Sequence, residues 1–431
     1  MSNDLNYYIR SFGCTFNKNS AQIMEGLLLK NNYNKVEYPK LANIIIINTC
    51  MVKINTENKI LYLISDFVKK YPDKILIIAG CMPEVISKKL KSIAPNAILI
   101  GPFYTTELIS LIEKNKENLT PKCLIGKRIE DKIDSPKNEQ NKLIKIVPIS
   151  QGCVNSCHYC VVKLAMGKLR SYPLDKIISY IQKSVKNGVK EIQLTAQDLS
   201  AYGIDSKNSL IDILAKITKI NGEFKTRLGM MNPSTLFPII DGLLDKCDND
   251  KIYKFFHIPV QSGDNVVLEK MNRKYRIEDF IEICNKIKKK FKDYTLSTDI
   301  ICGYPGETDE NFHNTIKLIK MIKPDIINIS KYSHRPGTVA SKLKDLPSKI
   351  KKERSTLLYQ IYHDYVYEKF ENMIEKKYRV LFLKKISNNL FWGRNEKYTP
   401  VYVRSSNNLI GKIKEVKIIE LKKRRLYGIL N

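Results

Sequence analysis

Eight residues, Cys153-Val-Asn-Ser-Cys157-His-Tyr-Cys160, set three cysteines in one short loop directly after an apolar, strand-like run, Ile144 to Ile149. Thiolates ligate iron–sulfur clusters, and a cubane cluster has one more iron than this loop has cysteines. One iron is left open, so another molecule can coordinate there. A structural zinc site is the competing reading, but zinc modules use paired C-x2-C units and a full tetrahedral ligand set. A second group of cysteines follows a different pattern. Ser-Phe-Gly-Cys14, Ile-Asn-Thr-Cys50 and Ile-Ala-Gly-Cys81 each end an apolar run, at intervals of 36 and 31 residues. Each interval matches one βαβ unit. Taken singly, each is an ordinary buried thiol. Three at the same strand-end position argue for a second cluster, because parallel strands bring their C-terminal ends to one edge of the sheet.

The elements that must position these cysteines are visible as periodicity. Apolar runs at Leu5–Ile9, Asn43–Asn48, Lys74–Ala79 and Asn96–Ile100 alternate with amphipathic segments such as Ala21–Lys30 and Ile54–Lys70. This βα alternation predicts an α/β domain with a doubly wound parallel sheet over residues 1–125. Residues 126–142 are polar and aperiodic and read as a surface linker. A second βα series, 143–370, has strand candidates at Ile144–Ile149, Glu191–Thr195, Thr226–Met230, Phe255–Pro259, Thr295–Ile301 and Ile326–Ser330. Six such units suit a partial (β/α) barrel with its site at the C-terminal strand ends. Beyond a long helical stretch, Ser348 to Ile374, the period changes to two, and residues 371–431 predict a small antiparallel β-barrel. That segment carries Arg394, Lys422, Lys423, Arg424 and Arg425, interleaved with Trp392, Tyr398 and Tyr402.

Lysine and arginine number 73 against 44 acidic residues, a net charge of +29 over 431 residues. Part of this excess solvates helix faces, yet it favours a polyanionic partner, nucleic acid ahead of a membrane surface. No apolar run approaches the roughly 20 residues that span a bilayer. The N-terminus lacks the basic start and apolar core of a signal peptide. Ten cysteines without a secretory signal favour metal ligation over disulfides and predict a cytoplasmic protein.

The loop, with Tyr159 just before its last cysteine, resembles the radical S-adenosylmethionine (SAM) superfamily, in which the open iron holds the amino and carboxylate groups of SAM. The whole chain is similar to the methylthiotransferases of the MiaB and RimO group: a cysteine-bearing α/β domain, a radical SAM barrel and a C-terminal TRAM domain. Several segments look most like the MtaB-like branch acting on threonylcarbamoyladenosine in tRNA. They are Lys163 to Pro173, Leu194-Thr-Ala-Gln-Asp198 with Ala201-Tyr-Gly203, Gly229 to Pro233, His257 to Gly263, Thr298 to Glu307 and Arg335-Pro-Gly-Thr338. The resemblance implies that Cys153, Cys157 and Cys160 hold the SAM-binding [4Fe-4S] cluster, and Cys14, Cys50 and Cys81 an auxiliary one. It places Tyr159 against the adenine of SAM, and Gln197, Asp198, Gln261 and Asp299 near its methionine end or ribose. Polar residues ordering loops is the plainer reading of those last four. The same resemblance puts RNA contacts at Arg394, Tyr398, Lys422, Lys423, Arg424 and Arg425, where backbone charge would grip a tRNA anticodon stem-loop.

An adenine C2–H bond is neither acidic nor electrophilic, which is why such chemistry falls to cofactors. The resemblance implies a SAM-derived radical that abstracts this hydrogen, sulfur from the auxiliary cluster, and methylation by a second SAM, with an external reductant and sulfur donor. Two departures stand out. Relatives commonly have Arg-Gly where this chain has Met166-Gly167, so Lys168 or Arg170 must substitute or the contact is missing. Relatives often read Ser-Gly-Ser-Asp where this chain has Ser262-Gly-Asp-Asn265, which weakens a role for Asp264. Cys123, Cys247, Cys284 and Cys302 match no ligand position and read as ordinary thiols. The alternatives are an isopentenyladenosine branch, against which the Leu194–Asp198 and Lys163–Pro173 segments speak, and a RimO-like enzyme acting on a ribosomal protein. Ribosomal proteins are basic, a poor electrostatic match for a chain of this charge. An RNA-binding protein with structural clusters explains the charge but not a three-ligand loop.

Overall fold

The computed structural model describes residues 5–116, 123–128, 130 and 132–431. The chain begins with β1 (Asn6–Ser11), α1 (Thr15–Lys30), β2 (Asn34–Lys35), β3 (Ile44–Thr49), α2 (Ile54–Lys70), β4 (Ile75–Gly80), α3 (Cys81–Ile93), β5 (Ile98–Ile100), α4 (Leu108–Lys116) and β6 (Cys123–Leu124). Its six strands form one sheet in the order β2-β1-β3-β4-β5-β6, with every pairing parallel. The isoleucines of β3 show why the sheet is doubly wound. Ile44 and Ile46 pack with Met24 and Leu28 of α1 and Leu108 and Ile112 of α4. Ile45 and Ile47 face the other way, onto Ile60 and Ile64 of α2 and Met82 and Leu90 of α3. Both faces are apolar, so the strand reads as an unbroken hydrophobic run. The strand order reverses between β1 and β3, the switch point at which α/β sheets bind ligands.

Residues 126–142 are not the surface linker that their polarity suggests. Lys132 and Ile133 are buried, and Lys132 pairs with Glu130 at 2.8 Å while also donating to the Pro102 carbonyl and to Thr105 Oγ1. Asn138 donates to the Gln22 carbonyl and to Glu25 of α1. The stretch crosses so close to α1 that a Cβ on Gly26 would overlap the Pro136 carbonyl. Several of its polar side chains answer polar groups of the first domain, while Lys127, Asp134 and Gln140 are exposed. Residues 129 and 131 of this stretch lie outside the described residues.

The chain divides into two compact units, and the boundary differs from the sequence reading. Residues 151–172 and 333–341 group with residues 1–140, while 141–150, 173–332 and 342–431 form the second unit. After β7 (Ile144–Pro148) and the short β8 (Ser150–Gln151), the cysteine loop leads into α5 (Val162–Met166) and β9 (Arg170–Ser171). Val161, Ala165 and Met166 are buried in the same apolar cluster as Met51, Cys81 and Met82, which is why this segment belongs with the first domain.

In the second unit, β7 is followed by β10 (Glu191–Thr195), β11 (Lys225–Arg227), β12 (Phe255–His257), β13 (Thr295–Cys302) and β14 (Ile326–Lys331). They pair in parallel as β7-β10-β11 and β12-β13-β14, joined by a parallel bridge between Met230 and His257. This is the partial (β/α) barrel. The C-terminal strands β15 (Lys377–Ser387), β16 (Leu390–Arg394), β17 (Pro400–Arg404), β18 (Ile413–Lys422) and β19 (Arg425–Leu430) close into a five-stranded barrel. Four of its pairings are antiparallel, and β17–β19, which closes it, is parallel. Phe382, Phe391, Val401, Val403, Val416, Ile418 and Leu426 fill its interior.

The small barrel docks on the N-terminal ends of the (β/α) strands. Asn141 donates to the Leu383 carbonyl at 2.8 Å, and Lys254 N to the Glu396 carbonyl at 2.8 Å. Arg379 pairs with Asp250, and Lys397 with Asp293, both at 3.1 Å. None of these contacts uses the C-terminal strand ends, the face on which such barrels build active sites.

Candidate iron–sulfur and nucleic-acid sites

β1, β3 and β4 are adjacent in the sheet, so Cys14, Cys50 and Cys81 lie side by side at its C-terminal edge. Cys14 is exposed; Cys50 and Cys81 are buried. Burial pushes both buried thiols up, and the neighbouring cysteines add to the rise: Cys14 acts on Cys50, and Cys50 and Cys14 on Cys81. The two buried thiols therefore lie within electrostatic reach of their cysteine neighbours. The approach depends on glycine. Gly13 has φ +102°, and a Cβ there would stand 2.6 Å from both Cβ and Sγ of Cys50. Among the described residues no three such side chains converge on a single metal ion. A cubane asks something different, since each thiolate binds its own iron around a body of appreciable size. Three thiols at adjacent strand ends beside a glycine-sided cradle fit that group, and ligation would require each to lose its proton.

Cys153, Cys157 and Cys160 are all partly exposed, as is Tyr159. The loop is held by its own backbone: Cys153 N donates to the Gly167 carbonyl at 3.2 Å and Cys160 N to the Cys157 carbonyl at 3.0 Å, while Lys163 Nζ donates to the Cys153 carbonyl. Gly152 has φ +86°, and a Cβ there would overlap the Lys168 carbonyl. Met166 supplies what the sequence left open. It is buried, anchoring α5 in the first domain's core, with its sulfur 4.0 Å from Gln151 Nε2. A cation from outside this helix ties it down. It is Lys127, which donates to the Leu164 and Ala165 carbonyls at 2.8 and 2.9 Å and pairs with Glu84 of α3 at 3.2 Å. Sequence reasoning missed Lys127 because it sits in the supposed linker.

Among the residues assigned to SAM, Asp198 is turned inward. It accepts from Ser200 Oγ at 2.9 Å, Asn232 N at 3.1 Å and Thr235 Oγ1 at 2.8 Å. Burial pushes its carboxyl up while these donors pull it back, and the residue organises its loop. Gln197, beside it, is partly exposed. Gln261 is held at φ 68°, bridged to Ile300, a left-handed conformation that costs energy for a side-chain-bearing residue and marks a constrained strand end. Asp299 on β13 remains accessible and accepts from His257 Nε2 at 3.0 Å and Asn328 Nδ2 at 2.7 Å. This row across β12, β13 and β14 adds His257, which opens one of the segments carrying the family resemblance, and Asn328, which carried no signal beyond its place in a strand. Asp264 caps the helix Asn265–Lys270, accepting from Val266 N and Val267 N, a structural role.

Residues 147–319 match the family described as the radical SAM superfamily, residues 6–101 the uncharacterized protein family UPF0004, and residues 371–430 the TRAM domain. A probable threonylcarbamoyladenosine tRNA methylthiotransferase of Pyrococcus horikoshii is 40% identical over 385 residues, covering 87% of this chain and 88% of its own length. The corresponding human protein, named a threonylcarbamoyladenosine tRNA methylthiotransferase, is 32% identical over 433 residues, covering 98% of this chain and 73% of its own. The chain belongs to the radical SAM methylthiotransferase family. Among solved structures, the radical SAM methyltransferase TsrM of Kitasatospora setae superposes with a TM-score of 0.57 at 10% identity, covering 78% of this chain and 75% of that one. That likeness supports the fold.

For a radical SAM methylthiotransferase, the cofactors are SAM and [4Fe-4S] clusters, and both cysteine groups suit cluster ligation. Cys247, Cys284 and Cys302 are buried apolar thiols, raised by burial, and Cys123 lies on the edge strand β6. Of the residues expected at the RNA face, Arg394 and Tyr398 have partners within the protein. Arg394 pairs with the buried Glu191 at 3.2 Å, and its guanidinium lies 3.8 Å from the Tyr398 ring centroid. Tyr398 packs in turn against Tyr253 and Phe255, at 4.9 and 5.0 Å between centroids. Both residues weld the TRAM barrel to the strand bottoms. Lys422, Lys423, Arg424 and Arg425 are exposed at the β18–β19 hairpin. Its two turn residues, Lys423 at φ 49° and Arg424 at φ 60°, adopt the left-handed conformation that hairpins usually give to Asn-Gly.

Proposed function

We propose that this chain converts N6-threonylcarbamoyladenosine beside the tRNA anticodon to its 2-methylthio derivative. The observation that carries the reading is two separate cysteine triads within one compact unit of a chain whose relatives bear that name. Cys153, Cys157 and Cys160 would hold the SAM-binding cluster, and Cys14, Cys50 and Cys81 the auxiliary one. When bound, these groups supply radical generation and sulfur. The protein's own contribution is positional: α5 and the Met166 cluster hold the loop triad, and the β1, β3 and β4 ends hold the other. The Asp299 row offers polar groups for the ribose or methionine end of SAM. The hairpin Lys422–Arg425 would contact phosphate, since such contacts supply most nucleic-acid affinity. A reductant and a sulfur donor are required as further partners.

Nucleoside mass spectrometry of tRNA from a strain lacking this chain tests the substrate. The 2-methylthio derivative should vanish while threonylcarbamoyladenosine accumulates; an unchanged level refutes the reading. Replacing Lys423 and Arg424 by alanine should weaken tRNA binding and flatten the salt slope by about 2.

A further inference from the structure

The segment Ser333–Ser341 belongs to the first unit and has no part in the sites described above. Arg335 is buried, with its side chain 5% exposed, and its Nη1 donates to Glu57 in the first turn of α2. Glu57 is equally buried. The other arm, Nη2, is buried and has no hydrogen-bond partner among the described residues. Leaving a buried charged donor unsatisfied is costly, so its retention asks for an acceptor. The guanidinium is electrostatically coupled to Cys50: burial lowers Arg335, and after Glu57 the Cys50 group is the next influence restoring it. The segment is fixed at both ends of its turn. Thr338 Oγ1 donates to the Arg335 carbonyl at 2.8 Å, and Ala340 N donates to the carbonyl of His158, inside the loop triad, at 2.9 Å. Gly337 sits at φ +78°, where a Cβ would stand 2.9 Å from Leu164 of α5. One short strap therefore reaches from the strand-end triad to the loop triad.

We infer that Arg335 is a positioning residue for the auxiliary centre: its unpartnered Nη2 donates to the anionic sulfur held at Cys14, Cys50 and Cys81, while Glu57 fixes the guanidinium. This rests on the reading of those three cysteines as cluster ligands. A guanidinium donating to sulfur stabilises the more negative, reduced state, so it raises the reduction potential and holds a sulfur nucleophile in place. Hydrogen bonds to cluster sulfur are one of the levers by which a protein sets that potential.

The test uses the full chain carrying Cys153→Ala, Cys157→Ala and Cys160→Ala, reconstituted with iron and sulfide so that only the auxiliary centre remains. Removing Arg335 alone strands Glu57, so the informative variant is Arg335→Met with Glu57→Gln, with Arg335→Lys as the conservative partner. The double variant should keep its iron and its melting temperature, while the midpoint potential from an EPR-monitored titration moves to more negative values. Arg335→Lys should recover most of that shift. With the loop triad restored, the double variant should lose sulfur insertion about 10- to 100-fold at unchanged SAM cleavage. An unshifted potential in a cluster-loaded double variant overturns the role of Arg335 and leaves the ligand assignment standing. A parent that binds no iron overturns both.

Discussion

Cys153, Cys157 and Cys160 share one loop and are equally half-buried, whereas Cys14, Cys50 and Cys81 are brought together by three strands and grade from exposed to buried. The loop triad carries its geometry in its own backbone, through bonds such as Cys153 to Gly167. The strand-end triad has no local geometry at all and exists only when β1, β3 and β4 are in register. Yet both rest on one apolar cluster, in which Cys81 and Met82 pack with Val161, Ala165 and Met166. The contrast shows two routes to a ligand set, and the shared core shows that the local one is not autonomous.

The largest effects should come from the ligands. Cys153→Ala should abolish 5′-deoxyadenosine formation while the strand-end centre survives, and Cys50→Ala should do the converse. Each should lose about half of the iron bound after anaerobic reconstitution, about four of about eight atoms. Loss of both centres from either change breaks the comparison. Next come the glycines. Gly152→Ala should empty the loop centre and Gly13→Ala the strand-end one, as read by iron content and the charge-transfer absorbance of each variant. Met166→Ala should not discriminate. It opens a cavity under both triads, costs about 2–5 kcal/mol in denaturant melts, and lowers iron at both. The smallest effect belongs to Lys127→Ala. This partly exposed tie should cost about 0–1 kcal/mol, with faster hydrogen exchange at α5 amides and unchanged exchange at the β3 amides.

Much of this was legible in sequence because apolar runs and cysteine positions are one-dimensional signals. The β3 run, Ile44 to Ile47, announces a strand buried on both faces, and Cys50 announces its end. Polarity is a poorer guide, since a polar side chain looks the same whether it meets water or a buried partner. Lys132 lies in a stretch that reads as linker and is wholly buried. Arg394 and Tyr398 read as RNA contacts from sequence, which gives no sign that they also pair with Glu191 and with each other; Asp198 reads as a cofactor ligand, with no sign that it also ties its own loop. Met166 reads as a lost arginine and is a core residue. In each case the deciding partner is far away in sequence.

The Arg394–Glu191 joint has a consequence for scale. It fixes the TRAM barrel to the starting ends of the (β/α) strands, while Asp299 opens toward their finishing ends. A strand of five or six residues is roughly 17–20 Å long. Glu191 also accepts from Gln193 Nε2 at 2.6 Å and from the Tyr253 hydroxyl at 3.0 Å, so the joint is one part of a buried polar network at the start of β10. On the proposed reading, a tRNA held at the Lys422–Arg425 hairpin has to span the length of the (β/α) strands to reach Asp299. A free nucleoside carrying the right base lacks that span, and on the same reading it should be a poor substrate beside an anticodon stem-loop.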